Sequence, residues 1–301
     1  MRIDTLVNLV DGELINNGYI QDITYFTDEL KKVKRESLFI SNDINKIEKA
    51  IKKGVYGILF SEDIKITDKE IAWIKVDDLK DSILRIFKYK LLDKTLYICD
   101  DLTLQIVKSI NKDKNLIVLE DKNIVDYLNN DDLIFITNSP LYKKLSTNHK
   151  FLNKKLPIKL LNSSLFITEF IFKNTKYKLK IPEIYLKNIQ KVLAFFEEHS
   201  LKYNLKNIKI DRFIPQFIDK NYYKTKFGKT DKVVIYGIKK DNYFINELNF
   251  IFSKAKYGDV KFYDKTNLKK FFDDKFNFGI LVDCDIQLNE KSKQVKNLFD
   301  F

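Results

Sequence analysis

Glycine and proline are scarce in this sequence, with eight Gly and four Pro in 301 residues. Phosphate-binding loops need glycine, and domain linkers are often rich in both, so tight-turn chemistry is limited and no Pro/Gly-rich linker is present. Cysteine is nearly absent too. Cys99 and Cys284 are far apart and form no metal-spacing motif, which fits reduced packing residues while leaving a disulfide open. The two histidines, His149 and His199, rule out an H-E-x-x-H pair, and no G-x-S-x-G nucleophile turn occurs. No uncharged run approaches the roughly 18–20 residues that span a bilayer. The N-terminus mixes acidic with apolar residues and lacks a basic head before an apolar core, so no signal peptide and a cytoplasmic location are expected.

Charge is plentiful, with 54 Lys+Arg against 42 Asp+Glu and a formal net charge of +12. Only Arg2, Arg35, Arg85 and Arg212 are arginine, whereas base readout and bidentate phosphate grips favour that residue. Residues 1–90 hold 16 basic and 16 acidic side chains, but 146–230 hold 18 and 6. The excess is therefore local. It reads first as a solvated lysine face and second as a site for an anionic partner; nucleic acid is not the favoured partner. The string from Lys220 to Lys229 interleaves Tyr222, Tyr223 and Phe227 with lysines. Its aromatics are expected to pack back onto a sheet with the lysines reaching outward, rather than to stack bases.

Helix-like and strand-like stretches alternate along the chain, which predicts α/β layers. Residues 4–10 read as a helix, 37–40 as a buried strand, and 44–53 as a helix with Ile44, Ile47, Ala50 and Ile51 inward, stopped by Gly54. Strands follow at 56–60 and 73–76, then a helix opened by Asp77 and Asp78. A second unit shows strands at 95–98, 115–119 and 133–137 with helices at 101–110 and 124–128 between them, the pattern of a mostly parallel sheet. A β-hairpin at 164–181 and a helix at 184–199 come next. The chain closes on a βαβαβ pattern with strands at 233–236, 260–263 and 279–282.

The order of these parts and two local strings resemble the Mur ligases, particularly the type that adds D-alanyl-D-alanine to the UDP-linked muramoyl tripeptide. The family's T-D-S-R-x-V-x-P-G-x-L-F-V string has its counterpart in Asp28-Glu29-Leu30-Lys31 through Val33 to Ser37-Leu38-Phe39-Ile40. The apolar frame agrees, but Glu29 stands for Asp, Lys31 for Arg, and Leu30 removes a serine hydroxyl. The family's hairpin, Asn-bearing helix and F-x-P correspond to Leu165 through Leu179, Asn188 and Phe213-Ile214-Pro215, while the G-R that should follow is replaced by Gln216-Phe217. The resemblance implies an α/β fold of three consecutive units, like a truncated Mur ligase: an N-terminal domain over 1–92, a degenerate ATPase-like central domain with a mostly parallel sheet over 93–230, and a small Rossmann-like unit over 231–301. It also implies Glu29, Lys31 and Asn188 as candidate ligand-binding residues.

The family's G-x-x-G-K-T-T phosphate loop should follow the first strand of the central part. That position holds Cys99-Asp100-Asp101-Leu102-Thr103-Leu104-Gln105, with no glycine, no lysine and two carboxylates. Backbone N–H groups freed by glycine and a lysine are what hold a nucleotide's phosphates. Two like unit charges at ~4 Å repel by about 4 kcal/mol at an effective dielectric of 20. Asp100 or Asp101 instead suits a helix N-cap. The expectation is a Mur-ligase-like pseudoenzyme with no catalytic residue, cofactor or metal, which binds a protein partner or a cell-wall precursor. The alternatives are an active amide ligase with an atypical nucleotide site, and a binder of anionic surfaces through 146–230.

Overall fold

The computed structural model describes residues 1–16, 18–120 and 124–290. The chain divides into two compact units, Met1–Leu104 with Asp113–Leu152, and Gln105–Lys112 with the residues from Asn153 onward. The sequence-level boundaries at 92/93 and 230/231 fall inside these units. Of the C-terminal part expected over 231–301, residues 291–301 lie outside the described residues.

In the first unit, α1 (Ile3–Val10) buries Ile3, Leu6 and Val10 at helical spacing and ends at Asp11, whose φ of 55° is left-handed. Strands β1 (Glu13–Asn16), β2 (Tyr25–Thr27), β3 (Ser37–Ile40), β4 (Gly57–Phe60) and β5 (Ala72–Lys75) form one sheet in the order β1-β5-β4-β3-β2. β2 to β5 are parallel and β1 is antiparallel at the edge. Every residue of β3 and β4 is buried, which explains the apolar runs Leu38–Ile40 and Ile58–Phe60. Helix α2 (Ile44–Lys52) starts at Asp43, whose side chain accepts from the Lys46 N–H, and Gly54 follows it at a φ of +83°. Ile47 and Ala50 face inward as expected, but Ile44, at the helix terminus, is 52% exposed. α3 (Leu79–Lys90) is capped by Asp78, which accepts from Asp81 N at 2.7 Å.

A second sheet follows, from β6 (Leu96–Ile98), α4 (Asp101–Ile110), β7 (Leu116–Val118), β8 (Ile134–Thr137), α5 (Pro140–Leu145) and β9 (His149–Phe151). It is wholly parallel, in the order β7-β8-β6-β9. Ile124–Asn129, expected as an α-helix, is a 3-10 turn. β9 has no apolar alternation and all three residues are exposed, so only pairing with β6 reveals it.

In the second unit β10 (Lys159–Ser163) joins the expected hairpin of β11 (Thr168–Phe172) and β12 (Thr175–Leu179) as a third antiparallel strand. Lys173 and Asn174 turn the hairpin at φ values of 45° and 60°. α6 (Leu186–Glu198) buries Ile189, Val192, Leu193 and Phe196, as its spacing predicts. The closing sheet is built from β13 (Ile214–Phe217), β14 (Val233–Ile238), α7 (Phe244–Lys254), β15 (Val260–Tyr263) and β16 (Phe278–Val282), in the order β13-β14-β16-β15. Its three later strands are the expected parallel set. β13 adds an antiparallel edge, where Pro215 is tolerated because an edge strand has unpaired N–H positions. The fold class is α/β. Among the described residues no helix is long and apolar enough to cross a membrane.

Candidate functional site

The turn from β6 into α4 is where a phosphate loop would lie. Cys99 N–H donates to the Thr137 carbonyl at 3.1 Å, and α4 starts two residues later at Asp101. The Asp100 carboxylate accepts from the Thr103 backbone N–H at 2.8 Å and from the Thr103 hydroxyl at 2.9 Å. Asp101 accepts from the Asn138 side-chain amide. A helix N-terminus presents N–H groups without intrahelical partners and a partial positive charge; here a carboxylate of the chain itself answers both. Thr103 is fully buried, with its hydroxyl turned to Asp100.

The loop after β2 carries two of the sequence candidates. Thr27 hydroxyl accepts from the Glu29 N–H at 3.1 Å. The Glu29 carboxylate accepts from Lys32 Nζ at 2.8 Å, and the same ammonium reaches Asp126 at 2.8 Å. Hydrogen bonds to Asp126 and then Glu29 hold the Lys32 ammonium above its ordinary pKa. Lys31 is exposed and its side chain has no partner among the described residues. The neighbour, Lys32, is therefore the cation that meets Glu29, which sequence reasoning missed because its second partner is 94 residues away. Leu30 packs against the cluster containing Phe39, Ile58 and Trp73.

Beside Asp28 lies a cavity of about 460 Å³. α3 contributes Leu79, Ile83 and Leu84 to its wall; the 3-10 turn adds Ile124 and Val125, and α5 adds Leu141 and Tyr142. Among the described residues, Asp28 and Lys80 are the charged ones that line it.

The third candidate, Asn188, belongs to the second unit. It is 7% exposed and donates from Nδ2 to the Tyr243 hydroxyl at 2.9 Å. Tyr243 in turn stacks under the Arg212 guanidinium, 5.2 Å from the ring centre. Arg212 donates through Nε and Nη2 to the two oxygens of Glu247, both at 2.8 Å, and through Nη1 to Asp241 at 2.6 Å. The Arg212 and Glu247 side chains are only 6% and 0% exposed. Tyr185 also donates to Glu247, and burial, then the Glu247 charge, push its phenol far above the usual range. A buried ion pair is tolerated when its geometry is good and further hydrogen bonds answer the charged groups, and here four guanidinium hydrogen bonds to Glu247 and Asp241 do so. Gly237 serves the same cluster. At φ +77°, an added Cβ would lie 2.4 Å from the Asp211 carbonyl, so glycine is what lets β14 approach the backbone beside Arg212. The only sequence signal for the cluster was a single arginine inside a lysine-rich segment.

The Lys220–Lys229 string behaves as a packed loop. Tyr222 donates to the Asp274 carbonyl at 3.1 Å and lies 5.5 Å from Phe271, and Phe227 sits 4.9 Å from Phe217. On the hairpin, Lys176 and Lys178 both pair with Glu169, at 3.0 and 2.9 Å. Among the described residues no group of three or more His, Cys, Asp or Glu is placed to hold a metal.

These features define an α/β protein of parallel-containing sheets with a carboxylate-capped turn between β6 and α4. Among solved structures, the chain is similar to MurF from Acinetobacter baumannii, with a TM-score of 0.44 and 9% identity over 87% of this chain and 78% of that one. It is also similar to the MurF ligase of Thermotoga maritima in complex with ADP, with a TM-score of 0.38 and 10% identity over 80% and 76% of the two chains. For a UDP-N-acetylmuramoyl-L-alanyl-D-glutamate–2,6-diaminopimelate ligase the TM-score is 0.34 at 8% identity, over 88% and 76%. No protein-family model and no curated protein matches the chain. Likeness this distant assigns no residue a role.

Proposed function

We propose that this protein is a Mur-ligase-like pseudoenzyme, a non-catalytic binding or scaffolding protein related to peptidoglycan-precursor synthesis. The observation that carries the reading is the Asp100–Thr103 cap. The donor that a nucleotide phosphate would take at the start of α4 is already bound by Asp100, and Asp101 stands beside it. Binding a triphosphate there would break the cap and bring phosphate charge against two carboxylates. The motif strings at 28–40 and 164–215 support the family part of the reading. The apolar packing of Leu30 supports a ligand other than the usual UDP-sugar.

Calorimetric titration of ATP–magnesium into the protein tests this directly. No saturable heat is expected up to millimolar nucleotide. Micromolar binding, or release of ADP on adding the muramoyl tripeptide and D-alanyl-D-alanine, would make the protein a ligase with an atypical nucleotide site.

A further inference from the structure

We propose that the cavity beside Asp28 binds a single-chain zwitterionic amphiphile, with its alkyl chain inside and its headgroup at Asp28 and Lys80. At about 460 Å³ the cavity is in the size range of small-molecule sites, roughly 300–1,000 Å³. Its wall is aliphatic except for Tyr142, and that hydroxyl already donates to the Glu120 carbonyl at 2.9 Å. An unpartnered polar group inside such a wall loses its hydrogen bonds to water without replacement. This disfavours a peptide, whose amides would enter the cavity, and a nucleotide sugar, whose diphosphate would find no arginine. An alkyl chain has no polar group to satisfy. The two charged groups at the cavity are of opposite sign, and neither side chain has a hydrogen bond or ion pair among the described residues. An unpaired anion and an unpaired cation at one apolar cavity complement a headgroup carrying both charges. Leu141, on the wall, is 39% exposed, so a ligand has apolar surface to cover. The inference is independent of whether ATP binds.

The test uses the full chain with isoleucine methyl groups labelled for NMR, titrated with alkylphosphocholines below their critical micelle concentrations. Saturable shifts are expected at the Ile83 and Ile124 methyls, and each methylene from hexyl to decyl should tighten binding about three- to four-fold until the cavity is full. Asp28→Asn should weaken decylphosphocholine and decyltrimethylammonium by about two- to five-fold and not weaken decanesulfonate; Lys80→Gln should weaken decylphosphocholine and decanesulfonate by a similar factor and not weaken decyltrimethylammonium. Leu141→Asp, at a position already 39% exposed, should abolish the shifts while thermal melting of the variant stays cooperative. Shifts confined to methyls away from the cavity would overturn the proposal. So would equal weakening of all three probes by the charge variants, or tighter binding of the tripeptide Leu-Leu-Leu.

Discussion

Arg212 and Glu247 meet as a two-pronged ion pair, Nε to Oε1 and Nη2 to Oε2 both at 2.8 Å, with the Glu247 side chain fully buried. They lie 35 residues apart and join the segment before β13 to the first turn of α7. Arg212→Met leaves a carboxylate buried without its counter-charge and should lower stability by about 3–5 kcal/mol, read from urea unfolding. Replacing both residues, as Arg212→Met with Glu247→Leu, should recover much of the loss. A double variant no more stable than the single would show that Glu247 is not the group left stranded.

Acid should loosen the same cluster. Burial works to raise the Asp241 pKa, but the hydrogen bonds from Arg212 and the Tyr243 N–H, with the Arg212 and Lys239 charges, together outweigh it and the net position is below the ordinary carboxylate value. A depressed folded-state pKa contributes stability that is present above the unfolded value and is lost as pH falls through the folded one. Thermal melting should therefore weaken below about pH 4, the ordinary aspartate range. Asp241→Asn should flatten part of that acid limb, and an unchanged limb would exclude Asp241 as a contributor.

The Asp100 cap makes a separate prediction. Asp100→Ala removes the side-chain acceptor for Thr103 N–H and should cost about 0.5–2 kcal/mol in denaturant unfolding. Asp100→Ser, which restores an N-cap oxygen, should recover most of it. Neither change should create ATP binding, because the glycines and lysine remain absent.

Gly237→Ala should destabilise the second unit by more than the roughly 1 kcal/mol that separates glycine from alanine in ordinary backbone, since the position needs φ +77° and the added Cβ meets a carbonyl at 2.4 Å. Gly54→Ala has the same kind of backbone angle, φ +83°, but no atom within 4 Å of the added Cβ. The difference between the two variants in thermal melting isolates the contact from the backbone term.

The elements with one local period were legible from the sequence. The apolar run Leu38–Ile40 of β3, the helical spacing of Val192 and Phe196 in α6, and the aspartate before α4 each report on neighbours a few residues away. That Cys99–Gln105 holds no glycine and no lysine was legible for the same reason, because a phosphate loop needs them close together in the chain. Strands β9 and β10 were hidden, since their exposed side chains carry no alternation and only the partner strand makes them strands.

The candidate site followed the same division. Sequence alone determined which chemistry is missing at Cys99–Gln105, and it selected Glu29, Lys31 and Asn188 from their places in strings. Tertiary structure decided that Lys32, through Asp126, is the cation at Glu29, that Asn188 leads through Tyr243 to Arg212, and that Gly237 serves packing. Hydrogen-bond and ion-pair partners across 35 to 94 residues are set by which elements pack together, and no local period encodes that.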